Sequence, residues 1–188
     1  VWRGMVGDAG GAAGALAELL SDYERLRGAD HPATLATRKR LAVWRGKAGD
    51  ASGAAGALAE LLPDCERVHG ADHPATLDTR YELACWRAQS GLSIRTTVKA
   101  LAELLPDCER VHGADGPETL AVQQQLAHWQ GNSGHARAAA AALAELVPDY
   151  ERVHGVNHPK TIKTRAYMQF WTQEAASWQR RLRWFLNR

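Results

Sequence analysis

Leu58 to Leu77 reads LAELLPDCERVHGADHPATL, and Leu101 to Leu120 reads LAELLPDCERVHGADGPETL. The copies differ only at His73 against Gly116 and at Ala75 against Glu118. Weaker copies begin at Leu16 and Leu143. Trp2, Trp44, Trp86, Trp129 and Trp171 recur at intervals of 42, 42, 43 and 42. The turn Asp30-His31-Pro32 returns as Asp72-His73-Pro74, Asp115-Gly116-Pro117 and Asn157-His158-Pro159, spaced 42, 43 and 42. A fixed period in this range is the mark of a repeat array rather than of a mixed domain. The single extra residue lies between Trp86 and Leu101, in the loop around 89–92.

Each period predicts two helices. Helix A starts at the Asp-His-Pro turn, where Asp72 could cap the free amides and Pro74 fits the first turn. In the third copy Asp115 and Glu118 have capping-box spacing. Leu77, Leu83, Ala84 and Trp86 then recur at helical intervals. Gly49, Gly91 and Gly134 stop helix A, because glycine accepts the left-handed conformation that closes a helix. Helix B follows, in the second copy from the N-cap candidate Asp50 to His69. Its apolar stripe is Ala54, Leu58, Leu61, Leu62, Cys65 and Val68. It stops at Gly70, with Gly28, Gly113 and Gly155 equivalent. Pro63, Pro106 and Pro148 fall inside helix B, where proline removes a backbone hydrogen bond. Either helix B bends there or a second short helix begins; a bend is expected at the three prolines, and a straighter helix in the first copy, which has Ser21 instead. No stretch alternates with period two as a strand would.

Leu41-Ala42, Gly49, Ala54 and Leu58 resemble the tetratricopeptide repeat family, as do Leu83-Ala84, Leu126-Ala127 and the Gly70–Pro74 turn. The closest resemblance is to its 42-residue variant, found in kinesin light chains and in bacterial regulatory proteins. It runs from the stub at Val1 to about Trp171. Arg45, Arg87 and Gln130 depart from it where an aromatic is expected after the tryptophan, and Gln169 stands where a small residue is expected. The resemblance implies an all-α, right-handed superhelical solenoid of antiparallel helix pairs. It also implies a protein–protein interaction scaffold that takes a peptide or partner domain in a concave groove lined by A helices. Such an array would be part of a larger signalling or regulatory protein. The expected organisation is one array over 1–188: a partial repeat at 1–29, repeats at about 30–71, 72–114 and 115–156, and a terminal helix at about 157–188.

The ends break the pattern. Val1–Gly7 reads as the tail of a helix A, and the first full element is a helix B over Gly10–Arg27 with Leu16, Leu19 and Leu20. No polar capping surface precedes it, so part of that stripe should be exposed. After Trp171 the expected glycine is missing. Trp171, Ala175, Trp178, Leu182 and Phe185 share one face of a single helix over 160–186, with Arg180, Arg181 and Arg183 on another. The competing reading of function is a structural module that self-associates head to tail through these ends.

Composition narrows the classes. The chain has 188 residues, 45% hydrophobic and 23% charged, with a formal net charge of +2. That is too apolar for disorder and too balanced for a general affinity for nucleic acid or anionic lipid. Basic and aromatic residues interleave at Arg180, Arg181, Arg183 and Arg188 with Trp178 and Trp184, but the patch is short and the net charge small, so nucleic acid is a disfavoured partner. No apolar run is long enough for a membrane span, and no leader pattern opens the chain. The expected location is cytoplasmic. Cys65 and Cys108 occupy equivalent positions too far apart to pair, and read with Cys85 as small apolar residues.

Chemistry is sparse. Gly46-Lys47 is followed by Ala48 and lacks the earlier glycine of a phosphate loop; the glycines of 7–14 follow no strand. His69, Asp72 and His73, echoed by His154, Asn157 and His158, suggest metal spacing, but a site needs three or four convergent ligands and the third copy has Gly116. The reading preferred is local packing and hydrogen bonding. Glu18, Glu60, Glu103 and Glu145 recur with the array, as salt bridges or solvated faces do. No catalytic residue, metal site or cofactor is assigned, and the chain reads as a non-enzyme. The repeated tryptophans read as core rather than as binding platforms.

The partner-binding candidates lie on helix A. Arg38, Arg80 and Arg165 recur six residues before tryptophan, with Gln123 in the third copy. They either pair with helix B acids or face the groove. Other positions vary between near-identical copies: Lys39, Tyr81 and Gln124; Val43, Cys85 and His128; Lys47, Gln89 and Asn132. Variation on a constant frame suits a binding surface, although neutral drift leaves the same trace.

Overall fold

The computed structural model describes residues 8–91 and 93–186, with side chains described as far as Ser177. The described residues form eight α-helices and no strand. They fall into two compact units, divided between Ser93 and Ile94 beside the loop that holds the extra residue.

The first unit contains α1 (Ala9–Arg27), α2 (Pro32–Lys47), α3 (Ala51–His69) and α4 (Pro74–Gln89). Consecutive helices pack together, and α2 also touches α4, whereas α1 and α3 do not meet. Its core gathers Leu35 and Ala42 of α2, Ala54, Leu58, Leu61 and Cys65 of α3, and Leu83 and Trp86 of α4. The second unit contains α5 (Ile94–His112), α6 (Pro117–Asn132), α7 (Ala136–His154) and α8 (Pro159–Leu186). It repeats the plan: α6 touches α8, and α5 and α7 do not meet. Leu120, Ala127, Ala139, Leu143, Tyr150 and Trp171 form its core. Within each unit, therefore, the A helices converge and the B helices splay.

Helix starts differ from expectation at one residue. Asp50 caps α3 as expected, its carboxylate accepting from the Gly53 amide at 2.8 Å. At the A helices the cap is the histidine, not the aspartate before it. The amides of Ala33, Ala75 and Lys160 donate to Nδ1 of His31, His73 and His158 at 3.1, 3.1 and 3.2 Å. Gly116 is the cap residue of α6 and offers no side-chain bond, so the expected capping box of Asp115 and Glu118 does not form. The turn aspartates are used otherwise. Asp30 pairs with Arg67 at 2.5 Å and Asp115 with Arg152 at 3.1 Å, tying each A-helix turn to the following B helix.

The turns are closed by a threonine that the sequence reading did not single out. Thr34, Thr76, Thr119 and Thr161 donate to the carbonyls of Gly28, Gly70, Gly113 and Gly155 at 2.8, 2.8, 2.8 and 2.9 Å. Each glycine ends a B helix; Gly70, at φ 96°, shows why the position suits glycine. The hydroxyl joins the amide of His31, His73, Gly116 or His158 on a carbonyl that no amide within the helix reaches.

The B helices run unbroken through Pro63, Pro106 and Pro148, so no second short helix starts at the proline. Cys65 and Cys108 are buried and form no disulfide, and burial raises the Cys65 thiol above its ordinary range. Trp86 and Trp171 are core residues, whereas Trp44 and Trp129 are half-buried. The terminal helix α8 is one continuous element of 28 residues. The side chains from Trp178 onward lie outside the described residues, as does the stub at 1–7. On α1, Leu19 is 39% and Leu26 is 68% exposed, while the equivalent of Leu19 on α3, Leu61, is buried.

Candidate partner-binding site

Of the positions expected to face a partner, Lys39, Gln124 and His128 lie where two A helices of a unit meet. In the first unit, Lys39 of α2 forms an ion pair with Asp78 of α4. Val43 packs against the core, and the Lys47 ammonium lies 4.3 Å from the centre of the Trp44 ring. Tyr81 and Cys85 of α4 are half-buried, and Gln89 is exposed with its amide turned to the Cys85 carbonyl at 3.4 Å. Glu82, a turn below Trp86, accepts from the indole N–H at 3.1 Å. Burial raises its carboxyl above the usual range, and the neighbouring Asp78 adds to this.

In the second unit several of these positions hold helices together. Gln124 is 5% exposed, and its amide donates to the Thr164 hydroxyl of α8. His128 stacks on Tyr167 of α8 at 4.2 Å and accepts from the Trp171 indole at 3.3 Å. Burial lowers the His128 pKa, with nearby Lys163 contributing. Asn132 is exposed and donates to the His128 carbonyl at 3.1 Å. Phe170 of α8 is half exposed beside Trp171.

The recurring arginines divide. Arg38 reaches from α2 to Asp64 of α3 at 2.7 Å, and Arg165 reaches Glu151 at 2.5 Å and the Val156 carbonyl at 3.0 Å. Both are held by ion pairs to B helices. Arg80 is half-buried on α4.

Where this series is broken by Gln123, a cavity of about 420 Å³ opens between α6 and α7. Its polar lining is Asp115, Gln123, Gln130, Glu145 and Asp149. Leu105 of α5, Ala114, Leu126, Ala127, Ala142 and Leu146 supply the rest. In sequence Gln123 is only the odd member of its series, with nothing beside it that marks a site. Gln123, Leu126, Ala127 and Gln130 form one face of α6, about a quarter turn from Gln124 and His128.

The turn histidines pack locally. His69 stacks on His73 at 4.6 Å and His154 on His158 at 4.8 Å. Among the described residues no three His, Cys, Asp or Glu side chains are placed to share a metal ion. Burial lowers the pKa of His69 and of His154; the adjacent His73 acts in the same sense on the first, and Lys160 and His158 on the second. A lowered folded pKa means the unfolded chain binds more protons just below the ordinary value of about 6.5. Stability is thus fully present above that value and falls as pH drops through the folded values. The urea midpoint should be lower at pH 5.5 than at 7.5, and His69→Gln with His154→Gln should flatten that dependence. An unchanged slope in the double variant would remove these histidines as its source.

The tetratricopeptide repeat family model matches residues 34–75, which cover α2, α3 and the turn into α4. No curated protein matches the chain. Among solved structures, a Podosopora anserina protein described as a putative kinesin light chain with nearly identical TPR-like repeats aligns at TM-score 0.72 and 20% identity, over 95% of this chain and 84% of that one. A point variant of that protein gives 0.73 with the same identity and coverage. BtubC (BKLC) from P. vanneervenii aligns at 0.75 and 16% identity, over 98% of this chain and 77% of that one. Among the described residues no helix is long and apolar enough to cross a membrane. Residues 34–75 thus match a tetratricopeptide repeat, and with the same helix pair recurring along them the described residues have an all-α, TPR-like fold.

Proposed function

We propose that the chain is a protein–protein interaction scaffold that holds a peptide or partner domain against the face that the paired A helices form within a unit. The observation that carries this reading is the convergence of α2 with α4 and of α6 with α8, while the B helices of each unit stay apart. Within a unit, two converging A helices present a surface built from both of them, which is where a helical repeat can offer a shared contact. The exposed or half-buried A-helix side chains Lys47, Tyr81 and Gln89 in the first unit and Asn132 in the second differ between copies whose frame is almost constant. They mix an aromatic, amides and a cation, a composition suited to a polypeptide partner. Lys39, Gln124 and His128 serve this face by joining its helices, so they set its shape. No catalytic group is assigned to it.

The test is affinity capture with the wild-type chain, with Tyr81→Ala and Gln89→Ala, and with Glu109→Ala on an exposed B-helix position. Partners recovered by the wild type and by Glu109→Ala should fall about tenfold or more with the groove variants, the cost expected of losing a central aromatic contact. Equal recovery by all four would remove the assignment to this face.

A further inference from the structure

The cavity between α6 and α7 has an internal comparison. Each of its eleven lining residues has a counterpart 85 positions earlier, two periods back. Nine of the eleven are identical. The acids Asp115, Glu145 and Asp149 correspond to Asp30, Glu60 and Asp64, and every apolar position is unchanged. The two differences are both arginine to glutamine: Arg38 to Gln123 and Arg45 to Gln130.

In the first unit, Arg38 and Arg67 pair with the carboxylates Asp30 and Asp64, while Arg45 is exposed. Arg38 spans the α2–α3 seam to Asp64 at 2.7 Å, and Arg67 bridges Asp30 and Asp64 at 2.5 and 3.0 Å. In the second unit only the counterpart of Arg67 remains. Arg152 bridges Asp115 and Asp149 at 3.1 and 2.8 Å. Three carboxylates then face one guanidinium, and neither Gln123 nor Glu145 has a described hydrogen-bond or ion-pair partner. Glutamine is shorter than arginine and neutral, so it neither fills the seam nor balances the acids. The first unit thus shows which group this lining accommodates when it is filled.

We propose that this cavity is a docking site for arginine side chains of a partner polypeptide, which restore the guanidinium that the chain itself supplies at Arg38. Planar guanidinium suits the site better than ammonium: it forms forked hydrogen bonds to carboxylates while its face and stem lie on apolar surface. Leu126, Ala127, Ala142 and Leu146 provide that surface. Gln123 and Gln130 lie two helical turns apart along the lining, so a helical segment with arginines at i and i+7 can set one beside each. The site is on a different face of α6 from the groove residues and does not depend on the groove reading.

The test uses a fluorescein-labelled, alanine-rich helical peptide with two arginines seven residues apart, and the same peptide with citrulline, which keeps the shape and loses the charge. Anisotropy is read at low salt, where exposed charge pairs are least screened. The arginine peptide should bind the wild-type chain at least about tenfold more tightly than the citrulline peptide, the scale of charge-assisted hydrogen bonds lost. Gln123→Arg should cost about tenfold in affinity for the arginine peptide by filling the cavity from within. Its fold is secure, because nine of the eleven lining residues already accommodate arginine at the equivalent place; circular dichroism verifies it. Asp149→Asn should weaken binding in the same direction, and Tyr81→Ala should leave it unchanged. Equal binding of the two peptides, undiminished binding to Gln123→Arg, or no binding to the wild type would overturn the proposal. Free L-arginine binding as tightly as the peptide would overturn its assignment to a polypeptide partner.

Discussion

Gly131→Ala is expected to destabilise the chain by about 2 kcal/mol, although alanine is the better helix former by about 1 kcal/mol in an open position. Gly131 lies inside α6, and a Cβ built there would stand 2.4 Å from the indole of Trp171. That ring is 5% exposed and tied to His128 by its N–H, so it cannot swing away without breaking the core of the second unit. Gly46 repeats the arrangement in the first unit, where the Cβ would lie 2.6 Å from the ring of Trp86. Gly46→Ala should therefore behave alike. The contrast is Gly56→Ala, in α3, where nothing stands within 4 Å of the added atom. That change should stabilise by about 0.5–1 kcal/mol. Urea denaturation followed by tryptophan fluorescence separates the cases. Stabilisation by Gly131→Ala would show that the indole has room to retreat.

Truncating the centre of either core should cost more. Leu58 and Leu143 occupy the same repeat position in α3 and α7, and both are fully buried. Leu58→Ala and Leu143→Ala should each cost about 3 kcal/mol, the lost transfer energy plus the cavity left behind. Leu16 holds the same position on α1 but is only half-buried, because among the described residues α1 packs on α2 alone. Leu16→Ala should cost less than half as much, about 1 kcal/mol. Equal losses at the three leucines would mean that α1 is covered as fully as α3. If the units melt independently, Leu58→Ala should lower one transition and Leu143→Ala the other.

Most of the architecture was legible because it was written several times. A helix seen once is an inference from periodicity; four aligned copies show which residues recur, and recurrence separates frame from variation. Helix order, the glycine stops, the Asp50 cap and the long last helix followed from that. The cap of the A helices was misread for a local reason. Asp72 and His73 are adjacent, both offer acceptors, and only backbone geometry decides that His73 Nδ1 faces the Ala75 amide. The turn threonines were overlooked because a threonine inside a helix carries no strong signal until its partner carbonyl, six residues earlier, is brought to it by the glycine turn.

The site residues were less legible still. Variation between copies marked helix A, but it could not separate side chains left free for a partner from those that join one A helix to the next. Gln124 and His128 vary and are nonetheless bound to α8, since two helices that touch must each tailor the contact. By itself, then, the sequence determined the period, the helix pairs and their ends, because these depend on local backbone preferences and on apolar spacing. Only the tertiary structure decided which variable residues are consumed at helix seams, and that two arginine-to-glutamine changes leave an acidic cavity between α6 and α7. Those outcomes depend on distances between residues remote in the chain, and spacing alone does not specify them.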